Sequence, residues 1–170
     1  MANNGKYLTV NAGVIEESTG VNTSAGAGDA GKIAKLDASG RWDPSMMPVG
    51  VAADTASITT SEALSAGDWV NVWNSTGVKV RKADATTAGK EADGFVLSAF
   101  GSGATALVYF EGTNTAVSSR TVGAKQWLGT TAGAGVETAL TGSGNVVQQL
   151  GKAISATSVS FEPQQPITLA

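Results

Sequence analysis

The stretch from Thr23 to Asp37, TSAGAGDAGKIAKLD, carries two phosphate-binding patterns at once. Gly26, Gly28 and Gly31 satisfy GxGxxG, and Gly26 to Lys32 satisfies the GxxxxGK part of the P-loop pattern. Either pattern works by aiming backbone N–H groups at the phosphates from a loop that follows a buried strand and opens a helix. The flanks deny that setting. Ile33 follows Lys32 where a hydroxyl residue would meet Mg²⁺, the upstream EESTGVNTSAG is not a buried strand, and the downstream KIAKLDASG reaches turn residues too soon for a helix. With no βαβ alternation after it, the segment is expected to be a bendable arm rather than a nucleotide site.

Other chemistry is equally thin. The chain has no cysteine and no histidine, which removes thiolate metal sites, disulfides, the Cys nucleophile and the commonest general base and metal ligand. Glu16 and Glu17 are neighbours, on opposite sides of an extended segment, and make a poor acid/base pair. Asp84, Glu91 and Asp93 share the turn-rich KADATTAGKEADG, which lacks EF-hand spacing and reads as a solvated loop in preference to a Ca²⁺ site. Trp69, Trp73 and Trp127 offer either core packing or a carbohydrate platform, with packing favoured because other large anchors are few. No catalytic, cofactor-binding or metal-binding residue, and no cofactor, is expected.

Composition narrows the partners. Of 170 residues 22 are glycine, 6% are aromatic and 15% are charged, for a formal net charge of −3. Arg81 with Lys82 is the only adjacent basic pair, so the basic stripe of a nucleic-acid binder is missing and no nucleic-acid partner is expected. The N-terminus has no secretory h-region and no window has the length of a membrane span, so the expectation is a soluble protein made in the cytoplasm, with no membrane partner.

The elements divide near Val49. Residues 1–48, rich in Gly, Ser, Thr and Asn, read as an extended N-terminal arm that cannot close a core alone. In it Tyr7, Leu8, Val10, Val14 and Ile15 are spaced as an extended segment able to add to a sheet edge. Further on, Ile33 and Leu36 precede the turn signal Asp37-Ala38-Ser39-Gly40, and Trp42, Met46 and Met47 follow it. This predicts a short hairpin or hook whose apolar residues dock either on the main domain or on a neighbouring subunit.

Residues 49–170 read as a β-domain. VKVRKAD and SVSFE alternate apolar and polar residues, as a strand with one wet face requires. GFVLSAF and ATALVYFE are apolar on both faces, which predicts central strands or strands covered by another subunit. Short strands between Gly-rich turns give an all-β fold, an antiparallel barrel or sandwich, with any helix short. An approximate internal repeat, 63–113 against 119–168, maps Gly67 to Gly123, Gly77 to Gly135, Gly94 to Gly151 and Glu111 to Glu162, so two similar β-units are expected to build the domain.

The run GDAGKIAKLDASGRWDPSMMPVG, followed by EALSAGDWVNVW, VRKADATTAGKEADGFVLSAF, VYFEG, SGNVVQQLGKAIS and FEPQQPITLA, resembles small structural proteins of tailed bacteriophages. Within them it is similar to capsid decoration, or cement, proteins. The resemblance implies a β-rich, non-enzymatic virion protein on the capsid exterior, a homotrimer bound to the major capsid protein. The alternative is a head-fibre or tail-fibre module binding a host-surface glycan. The residues expected to contact capsid or neighbour are the ten apolar arm residues named above.

Overall fold

The computed structural model describes residues 5–38, 40–47 and 54–170. The boundary expected at Val49 and Ser39 of the expected turn lie outside the described residues. Backbone contacts divide the chain into two compact units, Met1–Ala52 and Ala53–Ala170.

In the N-terminal unit, strands β1 (Lys6–Asn11) and β2 (Val14–Thr19) form an antiparallel hairpin. The chain reverses because Ala12 and Gly13 both take positive φ, 50° and 84°, the conformation a two-residue hairpin turn needs. Tyr7, Leu8 and Val10 thus lie on one strand and Val14 and Ile15 on the next, where one continuous extended segment was expected. Beyond β2, Val21 bridges Ala34 in parallel. A 3₁₀ turn spans Gly26–Asp29 and another Pro44–Met46.

The C-terminal unit is all-β, as the alternation and turn spacing predict, with antiparallel sheets in a sandwich-like arrangement. The first sheet has β3 (Thr55–Thr59), β4 (Trp69–Asn74), β5 (Val78–Lys82), β6 (Gly94–Phe95) and β7 (Thr105–Tyr109), in the spatial order β3-β7-β6-β4-β5. A parallel bridge from Thr60 to Val80 draws its two edges together, and the sheet curls over a core of its own that includes Val70, Val80, Val96 and Val108. The second sheet has β8 (Gly112–Asn114), β9 (Lys125–Leu128), β10 (Gly135–Val136), β12 (Gln149–Ser155) and β13 (Ser158–Phe161), in the order β8-β13-β12-β9-β10. A separate ribbon pairs β11 (Val146–Val147) with β14 (Ile167–Thr168).

Written this way, the two orders are the same: each first strand pairs with the last, and so inward across the sheet. The strands run over 55–109 and 112–161, which moves both starts upstream of the sequence alignment at 63 and 119. EGTNTAV therefore opens the second sheet through β8, whereas the tail EPQQPITLA supplies β14. Strand register gives the residue equivalences. Val70 pairs with Gly94 and Gln126 with Gly151; Trp69 pairs with Phe95 and Lys125 with Lys152. Phe95 then pairs with Tyr109, and Lys152 with Ser160. By the same register Gly135 takes the place of Val80 rather than of Gly77. A Cβ on Gly135 would lie 2.9 Å from the Trp69 indole nitrogen, so it is packing that keeps this position bare.

The two sheets pack in an unsymmetrical way. The row Trp69, Phe95, Tyr109 leaves the first sheet on the face opposite its own core and joins Leu128, Leu150, Ala153, Val159 and Phe161 of the second. Trp69 and Phe95 meet edge-on at 5.8 Å, Phe95 stacks on Tyr109 at 5.4 Å, and Phe161 lies 5.2 Å from Trp69. GFVLSAF thus buries both faces at Phe95 and Val96 within one chain, whereas ATALVYFE buries Ala106 and Val108 on one face and leaves Leu107, on the other, 40% exposed. The expectation of two covered faces holds for the first strand and not for the second. Backbone bonds seal the join, among them Trp69 N–H to the Gly133 carbonyl oxygen at 3.0 Å and Ala85 N–H to that of Gly129 at 2.9 Å. Gln148, buried, donates to the Ala92 carbonyl oxygen and accepts from the Ala92 N–H. A buried amide used at both ends leaves little polar group unsatisfied and ties the segment before β6 to the residue that precedes β12.

Candidate functional site

The hairpin separates its side chains by the two-residue alternation of a strand. Cross-strand partners share a face, so the pairs Leu8 with Glu17 and Val10 with Ile15 put Leu8, Val10 and Ile15 on one face. Tyr7, paired with Ser18, and Val14, paired with Asn11, lie on the other. Lys6 and Glu17 form an ion pair on the apolar face. Exposure is high throughout: Leu8 is 74% exposed, Ile15 70%, Val10 69% and Val14 64%. Tyr7 is half-buried.

The second half of the unit adds further exposed apolar side chains. Asp37 N–H donates to the Arg41 carbonyl oxygen, Gly40 N–H to that of Asp37, and Arg41 N–H to the Asp37 carboxylate. This is the turn that the Asp-Ala-Ser-Gly signal predicts. Ile33, Leu36, Trp42 and Met47 around it are exposed and Met46 is half-buried. Eight of the ten residues singled out in the sequence are therefore exposed apolar side chains. Singly scattered exposed apolar residues are ordinary, whereas this many in one small unit are not.

The phosphate-loop lookalike is bound to itself. The Asp29 carboxylate accepts the Ala25 N–H at 2.6 Å and the Lys32 ammonium at 2.7 Å. These bonds, the lysine's first, hold the Asp29 carboxyl below the usual carboxylate range. An aspartate thus occupies Lys32 within a one-turn 3₁₀ element, and neither a buried strand before it nor an α-helix after it frames the loop.

The acidic loop is tied up in the same way. Asp84 accepts from Thr86 and, at 3.0 Å, from Lys90. Burial pushes its carboxyl up, but the bonds from Thr86 and Lys90 outweigh it and the net shift is down. Asp93 accepts the Val72 N–H at 2.7 Å and the Asn71 amide at 3.1 Å. Asp93 keeps exposed surface, but partial desolvation of its carboxylate, helped by the Glu91 charge, still holds it above the ordinary carboxylate range. Both Glu91 oxygens take the Gly89 N–H. The three carboxylates anchor three different backbone segments instead of converging.

The tryptophans do not form one platform. Trp69 is buried in the sandwich. Trp73 is half-buried, with the Arg81 guanidinium 4.4 Å from its ring centre and its N–H on Ser61. Trp127 lies on β9 beside Lys125, half-buried. Sequence reasoning favoured packing and singled out all three, but nothing in the spacing of Trp69 and Trp73 tells which one a second sheet will cover.

No family model matches the chain, and no curated protein or solved structure matches it.

Proposed function

We propose that the chain is a non-enzymatic structural protein of a tailed-phage virion, decorating the capsid by binding outside the major capsid protein lattice. The observation that carries this reading is the exposed apolar set of the N-terminal unit, eight large side chains in a unit of about fifty residues. That set is surface available to a partner. The sequence resemblance to decoration proteins supplies the identity of that partner, and multivalent attachment over many lattice sites raises effective affinity with no chemistry at all. Trimer formation rests on the resemblance, since Phe95, Val96, Ala106 and Val108 are buried within one chain and Leu107 is the exposed large apolar residue left on these strands.

The glycan-binding fibre alternative loses Trp69 from its platform. Copy number separates the two readings: a decoration protein is present in purified particles at a number comparable to the capsid subunit, a fibre protein in far fewer copies. Adding full-length protein to undecorated particles tests the surface directly. Leu8→Ser, Val10→Ser and Ile15→Ser combined should weaken binding by at least about tenfold, the equivalent of about 1.4 kcal/mol, while leaving the sheet spectrum unchanged. Undiminished binding would place attachment elsewhere.

A further inference from the structure

The hairpin has two edges, and they differ. Gly20 N–H donates to the Gly5 carbonyl oxygen, across the hairpin, whereas Val21 N–H points the other way, to that of Ile33. Carried down the ladder, this alternation turns the backbone groups of Tyr7, Thr9 and Asn11 toward β2 and those of Lys6, Leu8 and Val10 away from it. The outer edge of β2 runs on into the Val21–Ala34 bridge and carries Glu16 and Glu17 side by side. The outer edge of β1 meets no strand among the described residues and has no charged side chain from Tyr7 to Asn11.

We infer that the β1 edge pairs with the β1 edge of a second copy of this chain, antiparallel, about a twofold axis at Leu8. An unpaired flat edge is a template for another strand, and a charged one is a guarded edge. Self-pairing of β2 about Glu16 or about Glu17 would set that glutamate against its own copy, and like charges directly opposite one another are destabilising. Self-pairing of β1 does not. With Leu8 opposite Leu8, Lys6 falls opposite Val10 at each end, and every outward-facing amide between Lys6 and Val10 is used. The product is a four-stranded sheet, above the size at which a β-ribbon holds together in water, which a lone hairpin barely reaches. It also places Leu8, Val10 and Ile15 of both copies on one face. The pairing holds whether or not the chain decorates a shell.

The chain has no cysteine, so one introduced thiol reports cleanly. Leu8→Cys in the full chain should give a disulfide-linked dimer as the main product of mild oxidation, because a hydrogen-bonded cross-strand pair lies about 5.5 Å apart at Cα, within disulfide reach. Ile15→Cys, on the same face but on β2, should link several-fold less. Equal linking at the two positions would overturn the inference. So would a Leu8→Cys protein that stays unlinked in solution and links only to a shell protein on particles, which would give the edge to that partner.

A second pair of variants isolates the backbone. Leu8→Ala removes the side chain and keeps the outward N–H, whereas Leu8→Pro removes both, and an edge position tolerates proline. Sedimentation at about 100 μM should show the dimer retained in Leu8→Ala, with affinity within about tenfold, and lost in Leu8→Pro. Equal loss in both, or a monomeric parent chain, would show that the edge is not the contact.

Discussion

Trp69 and Lys125 occupy the same place in the same strand of two sheets with one connectivity, yet Trp69 is buried and Lys125 is exposed. The rows they begin diverge together, Trp69-Phe95-Tyr109 in one sheet and Lys125-Lys152-Ser160 in the other. The first row is a join and the second is a surface. Trp69→Ala should therefore destabilise the protein by about 3–5 kcal/mol, and Lys125→Ala by no more than about 0.5 kcal/mol. Urea unfolding midpoints of the two variants check this, and similar losses would refute the asymmetry.

Gly94 and Gly151 are matched by register and share a constraint. A Cβ on Gly151 would lie 1.8 Å from the Ser160 carbonyl oxygen, and φ there is +147°; on Gly94 it would lie 2.5 Å from that of Tyr109. Backbone cannot yield as a flexible side chain does. Gly151→Ala is expected to destabilise by more than about 3 kcal/mol or to give no folded protein, whereas Gly144→Ala, with nothing near its Cβ, carries only the strain of positive φ, about 1 kcal/mol. Thermal melts of the two decide it.

Asp93 gives a pH signature. Its carboxyl is raised in the folded state by partial desolvation first and by Glu91 second, so the native protein holds this proton to higher pH than the unfolded chain does. The stability it contributes is full below the ordinary carboxylate pKa and is lost as pH rises through the raised folded value. Asp93→Asn keeps an acceptor for the Val72 N–H and removes the partly desolvated charge. The variant should be more stable than the parent at neutral pH and show no such gain in acid, compared by urea midpoints. A gain that is the same at both pH values would assign the effect to packing instead.

Lys32→Ala tests the loop that looks like a phosphate cradle. The lysine is paired with Asp29 on an exposed turn, so its removal should leave the melting temperature within about 2 °C, since an exposed pair contributes at most about 1 kcal/mol. Titration of ATP and NAD into the parent chain should give no saturable signal. Micromolar binding abolished in Lys32→Ala would reinstate the nucleotide reading.

Much of this was legible residue by residue. The SVSFE alternation buries Val159 and Phe161 and leaves Ser158 and Ser160 half-exposed, and the doubly apolar GFVLSAF lies on the central strand of its sheet. The Asp37 turn is where its residues put it. VKVRKAD holds for Val80, which is buried, and fails for Val78, 66% exposed at the strand's start beside the hairpin turn. The Asn-Ala-Gly-Val reversal was signalled by Gly13 alone, because alanine at positive φ has no propensity to announce it. The unsymmetrical join left no local trace. A row of aromatic residues three strands wide is assembled from Trp69, Phe95 and Tyr109, distant in sequence, and only the register brings them into line.

The first sheet closes its core with residues from Ile58 to Val108, all of which leave the ribosome before any of the second sheet does. The second sheet has no such independence, since its interior is completed by Trp69 and Phe95. Order of synthesis and order of dependence therefore run in the same direction. The nascent chain can set its first sheet, present a finished aromatic row, and let the later half condense on it. Reversing the order of the two halves by circular permutation would keep every contact and remove that advantage.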